Sequence, residues 1–182
     1  MPATWGVLMT LTRCLPHWRT QGWSPGCGWC LWALEHSAEG CNNIVNVRDY
    51  GKKVEFREPV TDAALAELLA AADAHLVTSK PAAEGKVVPS KLYGAMAAGI
   101  PVVYVGGEAA PTSVLNSEHD FGVGIAAGDV CGLVDALASL RDNPQRAAEM
   151  GARARRLFEQ RFTLELAVEA WAHLTETLAR KP

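Results

Sequence analysis

The fold class this sequence predicts is α/β, a mostly parallel sheet flanked by helices. Three observations predict it. From about residue 42 short β-branched runs alternate with segments of helical period, the pattern of strands joined by right-handed crossovers. The run Pro101-Val102-Val103-Tyr104-Val105 is too apolar throughout for a sheet edge. Gly99-Ile100-Pro101 stops an Ala-rich helix immediately before that strand.

Taken in order, residues 43–47 (Asn-Ile-Val-Asn-Val) and 53–57 (Lys-Val-Glu-Phe-Arg) are short strand candidates. Thr61 is a suitable N-cap for a helix over 63–72, with Leu65, Leu68 and Leu69 at helical spacing and Asp73 closing it. Residues 74–78 form a buried strand, 79–88 a loop and 89–98 a helix. The strand over 101–105 follows, and Gly106-Gly107 turns the chain toward a further strand at 121–125. Asp129 reads as the N-cap of a helix at 130–141, and Pro144 sits in the first turn of the next, which runs through Phe158. Thr163 caps a last, amphipathic helix to about Ala179. There Leu166, Ala170, Trp171, Leu174 and Leu178 share a face expected to be core.

Residues 1–42 differ from the rest. Five of the six tryptophans fall within the first 32 residues, and no acidic residue precedes Glu35. Prolines and glycines break any period there, so this segment is expected to be irregular or divergent, ahead of a domain over 43–182. Cys14 and His17 with Cys27 and Cys30 have the ligand types of a small zinc knuckle, and Cys27-Gly28-Trp29-Cys30 is also the spacing of a redox dithiol. Neither has its structural context, and incidental cysteines are the favoured reading, with no metal site assigned. The net charge of −3 gives no electrostatic case for nucleic acid. No run of about 18 apolar residues spans a bilayer. The apolar stretch within 1–12 lacks a basic start and a cleavage site, so no signal peptide is read and a cytoplasmic location is expected. Arg153, Arg155 and Arg156, near Arg146, read as a solvated helix face rather than a phosphate or membrane patch.

The most informative stretch runs from Glu84 to Val103: an acidic glycine loop, Pro89-Ser90-Lys91 opening a helix, then the Gly-Ile-Pro stop and a buried strand. A helix N-terminus offers unpaired amides and the positive end of the macrodipole, which attract a diphosphate. A loop carboxylate beside it can accept hydrogen bonds from a sugar. Together they suggest an enzyme that handles a nucleotide-sugar.

With these landmarks the chain resembles the donor-binding half of GT-B glycosyltransferases, of the retaining kind often called family four. The resemblance covers about residues 43 to 178. It rests on Asn46-Val47, Val54-Glu55-Phe56, Leu68 to Val77, Glu84-Gly85, Pro89-Ser90-Lys91-Leu92-Tyr93-Gly94, Ala97 to Val103, Gly122-Val123-Gly124 and Gly128-Asp129. It implies a Rossmann-like parallel sheet and a nucleotide-sugar substrate with no further cofactor. The Pro-Ser-Lys-Leu-Tyr-Gly form is similar to a branch acting on bacterial capsule, O-antigen or exopolysaccharide sugars. Hexosyl or N-acetylhexosaminyl transfer is implied, without an Asp-x-Asp metal site. Two departures stand out. Gly94 occupies the place where the family carries a second, ribose-holding glutamate. The chain also lacks room for an acceptor-binding domain, which must come from elsewhere or from a second chain. An acceptor lipid would bring such an enzyme to the inner face of the plasma membrane.

Carried onto this sequence, the resemblance gives the donor sugar and diphosphate to Glu84, Gly85, Lys86, Val87, Pro89, Ser90, Lys91 and Tyr93. It offers Arg57 and Gly94 for base and ribose, and leaves the catalytic group unassigned. Ser90 is alternatively a local helix cap, and Lys91 alternatively a surface charge. Glu108, after the strand ending at 105, is a further donor candidate. His75, within an apolar strand, is expected to be a satisfied core or strand-end histidine rather than a base. The competing function is a truncated, non-catalytic module that binds nucleotide or only packs on a partner.

Overall fold

A computed structural model describes the backbone of residues 8–12, 30–34 and 54–56, and describes residues 60–79 and 85–180 with their side chains. Among the described residues six strands form one sheet: β1 (Leu8–Thr12), β2 (Cys30–Leu34), β3 (Val54–Phe56), β4 (Ala74–Thr78), β5 (Val102–Val105) and β6 (Gly122–Ile125), in the order β3-β2-β1-β4-β5-β6. The helices are α1 (Asp62–Ala70), α2 (Ser90–Ala98), α3 (Pro111–His119), α4 (Val130–Asp142), α5 (Pro144–Arg161) and α6 (Leu164–Ala179).

β4, β5 and β6 are parallel, with His75 opposite Val102 and Val102 opposite Gly122. This is the helix-flanked, Rossmann-like α/β sheet expected. Its other half is less regular: β2 and β3 are parallel, but β1 runs antiparallel to both β2 and β4. The opening segment, expected to be irregular, therefore supplies two sheet strands. Leu8-Met9-Thr10-Leu11-Thr12 and Cys30-Leu31-Trp32-Ala33-Leu34 are short apolar runs, and long-range pairing can extend such runs although local Pro and Gly punctuation hides them. The strand expected at 43–47 lies outside the described residues.

β4 and β5 are covered on both faces. Val77, Val102 and Tyr104 face a cluster with Leu69 of α1, Leu92, Ala95 and Met96 of α2, Phe121, and Ala154 and Leu157 of α5. Ala74, Leu76, Val103 and Ile125 face the other way, against Ala136 and Leu140 of α4 and Met150 of α5. Alternation along β4 and β5 is the period-2 rule of a strand, and two apolar coverings explain why both read as continuous apolar runs. Each fully buried Val or Leu here contributes roughly 1.5–3 kcal/mol by leaving water.

The local signals at helix ends are met unevenly. Gly99 ends α2 in the left-handed region, φ 71°. The Asp129 carboxylate accepts from the Gly132 amide at 2.8 Å, and the Thr163 hydroxyl accepts from the Leu166 amide at 3.4 Å. Thr61 stands at the N-cap of α1, but its side chain makes no capping bond. α3 was not foreseen. Pro111 opens it, and its buried residues are Thr112 and Asn116, so it carries almost none of the apolar periodicity that marks a helix in sequence.

The last helix corrects a second expectation. Trp171 and the leucines beside it are not core: α6 has no buried residue, Leu164 is 74% and Trp171 68% exposed, and Val168, Leu174 and Leu178 are exposed too. The arginine cluster is also more than a solvated face. Arg153 donates from Nε to the Asp120 carbonyl at 2.6 Å and from a terminal nitrogen to its carboxylate at 2.8 Å. Arg155 reaches the Ala97 carbonyl and Glu159. Both guanidinium groups thereby meet carbonyls at the negative ends of α3 and α2.

Candidate functional site

The parallel strands end at Thr78, Val105 and Ile125, and the edge of an open α/β sheet beyond its strand C-termini is where such folds hold ligands. Three connections leave that edge. The first runs from Ser79 through residues 80–84, which lie outside the described residues, to Gly85 and α2. The second is Gly106-Gly107-Glu108, leading to α3. The third is Ala126 to Asp129, leading to α4.

Gly85 adopts φ 71°, a conformation glycine takes without strain, and among the described residues nothing lies within 4 Å of where its side chain would stand. Lys86, Val87 and Val88 are exposed, and Pro89, half-buried, is the N-cap of α2 with φ −60° and ψ 119°. The Leu92 amide bonds to the Pro89 carbonyl at 3.0 Å. Among the described residues no side chain caps this helix start, and its first turn holds no acidic residue. The capping alternative for Ser90 therefore fails: Pro89 holds the cap position, and Ser90 is the first, exposed residue of the helix. The result is a helix N-terminus at the strand C-terminal edge whose positive end is not neutralised by its own side chains. Lys86 lies in the turn that precedes the helix, and Lys91 in its first turn.

The direction of α2 is fixed from its far end. A Cβ at Gly151 would come within 2.1 Å of the Gly99 carbonyl oxygen, so α5 and the end of α2 touch backbone to backbone. Tyr93 is half-buried and packs its ring on Phe162, centroids 5.0 Å apart at 57°, so packing holds its position. Gly94 faces α1, where a Cβ would meet Leu69 Cδ1 at 3.3 Å. Glu84 and Arg57 lie outside the described residues. Glu108 is exposed on the second connection.

His75 is fully buried, and its Nε2 lies 3.0 Å from the Leu69 carbonyl. Burial disfavours the imidazolium and lowers its pKa to about 4, against the opposing pull of that carbonyl. It is a satisfied core histidine, remote in role from base catalysis at neutral pH. One pair escaped the sequence reading: Ser79 Oγ and Tyr104 Oη, 2.5 Å apart beneath the first connection. Tyr104 reads only as one more apolar strand residue, so nothing local announces its hydroxyl. Among the described residues no helix is long and apolar enough to cross a membrane, and no group of three His, Cys, Asp or Glu could hold a metal ion. Of the cysteine–histidine set, Cys30 begins β2, and Cys14, His17 and Cys27 lie outside the described residues.

A helix-flanked sheet with β4, β5 and β6 parallel defines the Rossmann-like α/β class. Residues 10–172 match the family model described as glycosyl transferase-like, and the chain belongs to that family. Among solved structures it is similar to sucrose-phosphate synthase from Thermosynechococcus elongatus, with 22% identity and a TM-score of 0.64 over 79% of this chain and 35% of that one. It is also similar to Anabaena HepE in complex with UDP-glucose (23%, 0.62, 79% and 37%) and to WaaG, a glycosyltransferase involved in lipopolysaccharide biosynthesis (21%, 0.56, 76% and 36%). These neighbours have the GT-B glycosyltransferase fold. The chain spans about a third of the length of each. A search of curated proteins finds no match.

Proposed function

We propose that this chain is the donor-binding half of a retaining glycosyltransferase, transferring a hexosyl or N-acetylhexosaminyl group from a nucleotide-sugar in bacterial cell-surface polysaccharide synthesis. The observation that carries the reading is the start of α2, uncapped by any described side chain, at the C-terminal edge of β4 and β5. A diphosphate lies there against Gly85 to Lys91, its charge met by helix amides and by Lys86 and Lys91. Glu84 orients the sugar. When the bond from the anomeric carbon to the diphosphate breaks, its electrons leave with the diphosphate, and the same amides and lysines stabilise that charge without a metal. The acceptor hydroxyl is positioned by a separate acceptor-binding domain or by a second chain. The exposed apolar residues of α6 fit a chain that leaves a companion surface uncovered. Work on an acceptor lipid would place the assembly at the cytoplasmic face of the membrane.

Calorimetry with UDP and UDP-glucose, the ligands of the HepE structures, tests the reading. Glu84→Ala should weaken UDP-glucose by about ten-fold or more while sparing UDP, because only the sugar loses a charged acceptor. Lys91→Ala should weaken both. If neither ligand binds, nor any in a panel of other nucleotides, the donor reading fails and the non-catalytic, partner-packing module is the better description.

A further inference from the structure

We propose that the Tyr104–Ser79 hydroxyl pair is a positioning device that fixes the roots of two connections, at Ser79 and Gly106, on the strand edge that carries the α2 N-terminus; its ligand consequences rest on the donor-site reading above. The pair joins two neighbouring parallel strands just where each gives way to a loop. Ser79 is the first residue after β4, and its amide continues the ladder to the Val105 carbonyl at 3.1 Å. Its hydroxyl meets Tyr104 Oη at 2.5 Å, and Tyr104 is 1% exposed within the core cluster beneath α2. A phenol in such a place must find a partner, and phenylalanine would bury the same ring without that demand. The hydroxyl thus adds little that the core needs, but it fixes the side chain from which the loop toward Gly85 departs.

The second loop is fixed by the same two atoms. A Cβ at Gly106 would lie 2.5 Å from Tyr104 Oη and 2.8 Å from Ser79 Oγ, so the backbone at 106 rests directly on the pair. From there the loop is tied down further: Gly106 donates to the Ile125 carbonyl at 3.0 Å. The Gly107 carbonyl accepts from the Ala110 amide at 3.1 Å and the Ser113 hydroxyl at 2.8 Å. The hydroxyl pair therefore adds a side-chain tie to the ladder bond between Ser79 and Val105, at the roots of the first and second connections. A ligand held between a helix start and a glycine loop needs both at fixed separation.

The test uses the full chain and the variants Tyr104→Phe, Ser79→Ala, Ser79→Thr and the Tyr104→Phe/Ser79→Ala double variant. The first readout is the rate of tryptic cleavage after the exposed Lys86, followed by mass spectrometry in ligand-free protein. Loss of one neutral hydrogen bond should speed it by about two- to ten-fold in Tyr104→Phe and Ser79→Ala. The double variant should be no faster than the singles, since all three remove one interaction. Ser79→Thr keeps the hydroxyl and should retain the parent rate. The second readout is UDP affinity, measured well below the melting temperature of each variant, which should fall by a similar factor in the same variants. Parent-like cleavage in Tyr104→Phe and Ser79→Ala would overturn the proposal, as would additive effects or failure of Ser79→Thr to restore the parent rate. If the parent binds no UDP while the variants are still cleaved faster, the positioning role stands and the donor-site reading alone falls.

Discussion

Lowering the pH should destabilise this fold through His75, and substituting that one residue should remove a defined part of the effect. The imidazole is fully buried in β4, and burial lowers its pKa from 6.5 to about 4. In the unfolded chain it titrates near 6.5. Between these values the unfolded chain binds the proton and the folded one does not, so stability falls as pH drops through that window and is fully present above it. The whole window is worth roughly 3 kcal/mol, at 1.36 kcal/mol for each unit. Between pH 7.5 and pH 5 the loss is about 2 kcal/mol, which moves a urea midpoint by about 1 M. His75→Gln cannot take the proton and retains an N–H to offer the Leu69 carbonyl. Its own stability is expected to be lower, but the comparison concerns pH dependence alone. The assay is urea denaturation of parent and variant at both pH values. The parent should lose about 2 kcal/mol more than the variant. Equal losses would refute the argument, for they would mean that His75 is hydrated or already charged in the native state.

Three other outcomes are expected. Gly151→Ala drives a Cβ to 2.1 Å from the Gly99 carbonyl, where backbone must move, and should cost about 1–3 kcal/mol in chemical denaturation. Trp171→Ala, on the exposed face of α6, should change the stability of the isolated chain by no more than about 0.5 kcal/mol, whereas Phe121→Ala, fully buried, should cost about 3–5 kcal/mol. Asp129→Ala removes the acceptor of the Gly132 amide and should cost about 1 kcal/mol, read from the same denaturation curves.

Much of the α/β half was legible because its signals are local. The apolar runs at 74–78 and 101–105, the Gly99 stop, the Asp129 cap and Pro144 at a first turn all act through backbone preferences within a few residues. α3 was not legible: its buried residues are Thr112 and Asn116, and a helix that buries polar groups leaves no apolar period to read. α6 misled in the opposite sense. Its apolar stripe is genuine, but a stripe says only that a face avoids water and not which surface will cover it.

The sequence by itself determined the helix-flanked parallel strands and the placing of a glycine loop before an amide-rich helix start, because propensity, capping and period reside in neighbouring residues. Only the tertiary structure decided that residues 8–12 and 30–34 join the sheet, that β1 runs antiparallel, and that Tyr104 reaches Ser79. It also decided that Arg153 and Arg155 hold the ends of α3 and α2 and that Gly151 meets Gly99. Each of these joins residues far apart in the chain. Their favourable energy appears only after the intervening chain has been ordered, and no local pattern records a contact whose partner lies tens of residues away.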